Sequence, residues 1–274
     1  MKRLIPIFIL FAVMMFACSL PFIDTPPVLP PATEPPGVEP PVTEPPVIGE
    51  PPLATNSGCD ALTLYIDPGF AGSYTCEIVP EQYEGMVVYP TYTSLLIQYA
   101  GISTTYTGHI DLLPVARYEE LMPGFISSAV AELQSLISGT APGVNLPALP
   151  VLNGGQEFTA QYQVLSFGSG GGIRYLTMYV QMEVPVNNRM MIYSFQGLTS
   201  DGQYWVAATF PLSHPSLPEN GDNPPPGQTW DQFYAGLDAY LANITAQLDA
   251  SPADTFQPSL TVLDELVGSI IIQP

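Results

Sequence analysis

Positive charge is what this chain has least of. Its 274 residues carry 25 aspartates and glutamates against five lysines and arginines. Two of the five are Lys2 and Arg3. Beyond the first 17 residues only Arg117, Arg174 and Arg189 remain, three cations against 25 carboxylates, with no lysine. A surface this acidic is repelled by phosphate backbones and anionic lipid heads, which excludes nucleic acid as a partner. The plain use of such charge is solubility outside the cell; attraction of cations or basic partners is the sharper one.

Histidine is nearly as scarce. Zinc sites and Ser/His/Asp triads need one, and the chain has only His109 and His214. Neither stands in an H-E-x-x-H pattern, and no serine stands in a G-x-S-x-G elbow. The glycine run 168–172 is followed by a strand-like segment rather than a helix, so it reads as a hairpin turn and not as a phosphate loop. Asn220-Gly221-Asp222-Asn223 is rich in oxygen but lacks the spacing of a calcium loop. The expectation is a protein that is not an enzyme, with no catalytic residue, no metal and no cofactor.

The apolar run from Leu4 to Ala17 has 14 residues, too short to cross a bilayer core of about 30 Å as a helix. Preceded by Lys2 and Arg3, residues 1–17 read as an export signal. The run ends in Met15-Phe16-Ala17-Cys18, which resembles the bacterial lipobox at Ala17 and Cys18 and departs from it at Met15 and Phe16. That resemblance implies acylation of Cys18 and an exported lipoprotein held at the bacterial cell membrane surface by its N-terminal lipid. Ordinary secretion with cleavage nearby is the alternative.

Of three cysteines, an acylated Cys18 leaves Cys59 and Cys76. An even pair in an oxidising compartment is expected to form a disulfide, worth about 3 kcal/mol for a loop of this size.

Proline, by contrast, is abundant. Thirteen prolines lie between Pro21 and Pro52, mostly in adjacent pairs. With φ fixed and donors removed, residues 18–57 suit an extended polyproline linker and neither helix nor sheet. Its reach is roughly 90–100 Å at about 3.1 Å per residue.

Residues 58–274 read as a single α+β domain built around 158–212. There, four runs rich in Val, Ile, Tyr, Phe, Thr and Met are separated by the glycine run 168–172, by Val186-Asn187-Asn188, and by Ser200-Asp201-Gly202. That is the pattern of a four-stranded antiparallel meander. Asp201-Gly202 suits a type I′ turn, with positive φ at both central residues. Upstream, strands are expected at 61–66, 73–79, 92–99 and 108–115, with a helix over 125–137. Downstream, Thr229 and Gln232 form a capping box. The helix it opens buries Phe233, Leu237, Tyr240, Leu241, Ile244 and Leu248. Pro258 suits the first position of a last helix, and 270–272 a closing strand. In 203–210 neither alternate set is strongly polar, so the sheet needs cover on both faces.

Arg174 shares a strand face with Leu176, Met178 and Val180. A buried arginine there needs a carboxylate, since an unpaired buried charge is very costly; binding of an anionic ligand is the other use. Tyr175, Tyr179, Tyr193 and Tyr204 are candidates to line a ligand pocket, and His214 stands in the long Pro/Gly loop 213–228. His109, beside Asp111, is the other histidine to watch.

The segment 193–205 (YSFQGLTSDGQYW), with Gly172-Ile173-Arg174-Tyr175-Leu176 and Pro185-Val186-Asn187-Asn188, resembles a group of uncharacterised exported bacterial lipoproteins. That group implies no activity. The element order, ending in Leu266-Val267-Gly268-Ser269-Ile270-Ile271-Ile272, resembles the Mog1/PsbP-like fold. It implies a central antiparallel sheet covered by helices and mostly accessory or binding roles. The reading is a lipid-tethered, non-enzymatic interaction or accessory module, whose sheet edges and 213–228 loop meet an unidentified protein partner. The alternative is a carrier or sensor of a small ligand held between sheet and helices.

Overall fold

The segment 73–211 builds a seven-stranded sheet, its apolar residues alternating along the strands. The computed structural model describes residues 57–59, 61–83, 87–100, 104–143 and 145–273. The leader 1–17, Cys18 and the linker up to residue 56 lie outside the described residues. In chain order the strands are β1 (Ser57–Cys59), β2 (Leu62–Leu64), β3 (Ser73–Val79), β4 (Tyr92–Gln98), β5 (Gly108–Pro114), β6 (Gly155–Gln156), β7 (Ala160–Phe167), β8 (Gly170–Thr177), β9 (Tyr179–Val180), β10 (Ile192–Thr199), β11 (Tyr204–Pro211) and β12 (Ile271–Ile272). The helices are α1 (Val115–Leu121), α2 (Phe125–Ile137), α3 (Trp230–Ala235), α4 (Leu237–Asp249) and α5 (Leu260–Gly268).

The large sheet runs β3-β4-β5-β11-β10-β8-β7, antiparallel at every pairing. The expected four-stranded meander is its β7-β8-β10-β11 half, and β3-β4-β5 is a second meander joined to it through β5 and β11. β1, β2 and β12 form a separate small sheet, so the first predicted strand pairs with the chain's last strand rather than with the meander. The sulfurs of Cys59 and Cys76 are bonded at 2.15 Å, with Cα atoms 5.7 Å apart, joining β1 to β3.

Both sheet faces are covered, as the two-sided apolar pattern of β11 requires. Trp205 and Ala207 join Leu113, Ile173, Tyr175 and Leu198 under Tyr118 of α1 and Ile126, Leu133 and Leu136 of α2. Val206, Ala208 and Phe210 face the other way, with Leu176, Tyr193 and Phe195, under Leu248 of α4 and Leu263, Leu266 and Val267 of α5. Gly172 and Gly197 are cross-strand partners. A Cβ on Gly172 would lie 2.5 Å from both the Gln196 carbonyl oxygen and the Phe195 ring, and one on Gly197 would lie 2.7 Å from that ring. The two glycines thus make room for the edge-to-face stack of Phe167 on Phe195, centroids 5.8 Å apart.

Three local expectations are corrected. At Ser200-Asp201-Gly202, only Gly202 takes a positive φ, 71°. The Asp201 carboxylate accepts from the Thr199 hydroxyl (2.6 Å) and the Gln203 amide (3.0 Å), which holds a turn other than I′. The capping box at Thr229 and Gln232 is present, but the helix breaks at Gly236 into α3 and α4, and α4 fully buries only Leu248. The last helix starts after Pro258: Ser259 is its cap, its hydroxyl accepting from the Val262 amide at 3.3 Å.

Candidate functional site

Arg174 sits on β8 at 4 % exposure, and the fold delivers four acceptor contacts to it. Asp264 of α5 takes Nε at 3.1 Å and Nη2 at 2.9 Å. The Gln163 side chain accepts from Nη2 at 2.7 Å, and the Gln161 carbonyl accepts from Nη1. Gln161 can turn its carbonyl inward because it occupies a β-bulge in β7 with φ of 54°. Its side-chain amide donates to the carbonyls of Leu248 (2.8 Å) and Ser251 (3.0 Å) at the end of α4. Tyr193 donates its hydroxyl to Asp264 Oδ1 at 2.9 Å. Burial first, then the Asp264 charge, holds that phenol protonated far above its ordinary range. The carboxylate expected for a buried Arg174 is therefore Asp264, and the guanidinium is committed to internal partners.

The tyrosines proposed to share a pocket are divided between the sheet faces. Tyr193 and, less deeply, Tyr204 belong to the α5 side; Tyr175 belongs to the α2 side. The Tyr175 hydroxyl lies 3.2 Å from that of Tyr179, and burial raises the pKa of both. His214 is buried against Phe256, ring centroids 4.9 Å apart, with Nδ1 2.7 Å from the Ser216 hydroxyl and Nε2 without a partner among the described residues. Burial lowers its pKa, so it is neutral at pH 7. The 213–228 loop is itself laced to the fold. The Asn188 and Arg189 amides donate to the Pro218 and Glu219 carbonyls, and Asn188 Oδ1 accepts from the His214 amide.

Sequence reasoning missed a polar row across the α2 face. Ser94 of β4 donates to Asp111 Oδ1 of β5 at 2.6 Å, and His109 Nε2 lies 3.7 Å from Oδ2. His109 Nδ1 lies 2.7 Å from the Thr107 carbonyl, which can only accept, so Nδ1 carries the proton. Burial raises the Asp111 pKa, opposed by His109 and Ser94. The row continues through Thr209, in register with His109, to Ser194, in register with Thr209, and to Gln196 two residues along β10. His109, Thr209, Ser194 and Gln196, with Tyr106, Tyr179 and Leu149, line a cavity of about 40 Å³, enough for two or three waters. The single legible signal was the spacing of His109 and Asp111, two apart on one strand and so on one face.

This row does not make a triad. A serine nucleophile needs the histidine to take its proton, with the carboxylate behind the histidine. Here Asp111 stands between Ser94 and His109, so Ser94 donates to the carboxylate and not to the imidazole. Among the described residues no group of three or more His, Cys, Asp or Glu could hold a metal. A shallow groove of about 620 Å³ lies along α3 and α4, lined by Gln228, Gln232, Tyr240, Asn243 and Gln247.

The seven-stranded sheet has two unlike edges. β7 carries the Gln161 bulge and is tied there to the end of α4. β3 pairs with β4 without a register shift, and six of its seven residues are exposed. Comparison of the chain with family models, curated proteins and solved structures finds no match.

Proposed function

We propose that this chain is an exported lipoprotein, tethered through Cys18 and its proline-rich linker. Its α+β domain, a Mog1/PsbP-like sandwich, acts as a non-enzymatic interaction or accessory module. One observation carries the reading: the groups that would serve a ligand inside the sandwich are already spent on one another. Four of the five Arg174 N–H donors are taken by Asp264, Gln161 and Gln163, and the interior polar cavity has room only for water. Among the described residues what remains is surface, above all the exposed edge strand β3.

Native mass spectrometry of the full chain, before and after denaturation, tests this. The expected mass is that of the polypeptide with its lipid and one disulfide. A further mass that denaturation releases would replace the module with the small-ligand carrier, and the amide-lined groove along α3 and α4 would be the first place to look for it.

A further inference from the structure

Natural sheets protect their edges with lysine, proline, a bulge or a covering element. β3 (SYTCEIV) has no lysine, no proline and no bulge, and its one charged residue is Glu77. Among the described residues, the backbone of β3 makes no hydrogen bond on the side away from β4. The opposite edge, β7, has the Gln161 bulge and its ties to α4, so among the described residues one edge is guarded and the other is open.

We infer that the outer edge of β3 is a docking edge for an extended segment of a partner protein that alternates basic with apolar side chains. This deepens the interaction-module reading and rests on it. Main-chain pairing at an exposed edge supplies affinity, and alternate side chains supply specificity. On one face of β3, Tyr74 and Ile78 are exposed, at 39 % and 66 %, on either side of the disulfide-bonded Cys76. They offer apolar contact to every second residue of an added strand. On the other face Glu77 is exposed, has no cationic partner among the described residues, and lies close enough to Asp111 and Tyr92 to act on both. Arg117 is not its partner: that guanidinium is held by Glu81 (2.8 Å) and Glu120 (2.6 Å). A basic side chain opposite Glu77 fits this charge. A second copy of the chain does not, since each copy carries a net charge of −20.

The test uses the isotope-labelled full chain and a short capped peptide alternating lysine with valine. Two control peptides carry glutamate for lysine, or N-methyl groups on the amides that would pair with β3. The expected result is saturable binding with amide shifts confined to β3 and β4, weakened about tenfold or more by either control and by Glu77→Lys. Ile78→Lys, which places a protective lysine on the edge, is expected to abolish it; thermal melting of both variants verifies that they fold. Equal binding of the N-methylated peptide, shifts elsewhere, no binding, or self-association of the chain through β3 would overturn the inference. These outcomes leave the released-mass test of the module untouched, so the edge and the module fail separately.

Discussion

Arg174 on β8 and Asp264 on α5 meet in a two-point ion pair, 90 residues apart in the chain, with Tyr193 donating to the same carboxylate. The pair fixes the last helix to the sheet at a buried position. Asp264→Ala leaves the guanidinium with its other partners but no counter-charge. Because Asp264 is partly exposed, the cost is expected near the low end for such pairs, about 3 kcal/mol. Arg174→Met with Asp264→Leu is expected to recover most of that. Urea denaturation of the three proteins checks both statements, and a double variant as weak as Asp264→Ala would show that the pair does more than neutralise itself.

A second buried acceptor holds the other face. Gln196 Oε1 accepts from the Trp205 indole at 2.7 Å and from the Leu149 amide at 3.0 Å. Gln196→Leu keeps the volume and orphans two buried donors, so a loss of about 2–4 kcal/mol is expected. The Trp205 near-ultraviolet signal should change with it. Glutamate at this position retains the acceptors, and an unchanged signal there is the control.

The hairpins make different demands on their glycines. Gly172→Ala sets a Cβ against rigid backbone and a buried ring, and is expected to cost about 3 kcal/mol or more. Gly202→Ala meets open space but must hold a φ of 71°, and about 1 kcal/mol is expected. Melting temperatures in that order are the check; the reverse order would mean that the sheet relaxes around Gly172 more easily than the turn does around Gly202.

What the sequence showed was local. The capping box at Thr229 and Gln232 lies within four residues, and the side-chain alternation of β11 within eight, so both were legible. What it hid depended on register. Tyr193 pairs with Leu176 and Tyr175 with Ser194. That one-residue offset sends the two tyrosines to opposite faces, which no composition or spacing reveals. Asp264 could not be singled out from the other acids as the partner of Arg174, because helix α5 and strand β8 come together only in the tertiary fold. The Gln161 bulge was hidden for a related reason: a glutamine at positive φ has no sequence signature, and its acceptors lie at the far end of α4. The polar row from Ser94 to Gln196 is spread over four strands, so only the His109–Asp111 pair within one strand left a trace.

Cys59 and Cys76 bind the start of the described domain to β3. Reduction, or Cys59→Ser with Cys76→Ser, is expected to lower stability by about 3 kcal/mol. Thiol titration of the native full chain together with denaturation in reductant checks the bond and its value. If Cys18 is acylated, the unreduced protein should show no free thiol.

Glu157 supplies the pH dependence. It is half-buried, its Oε1 has no partner among the described residues, and burial together with the Glu183 charge raises its pKa from 4.5 to about 6. The folded state therefore keeps this proton longer than the unfolded chain does. Between pH 4.5 and about 6 the folded form binds more protons, so the group's contribution to stability falls as pH rises and levels off above about 6. Glu157→Gln removes the titration. The variant is expected to melt at a higher temperature than the parent at pH 7, by less than about 1 kcal/mol of stability given the partial exposure, and to match it below pH 4.5. Melting curves of both proteins across that range decide it: a constant offset at every pH would mean that Glu157 acts through packing and not through its charge.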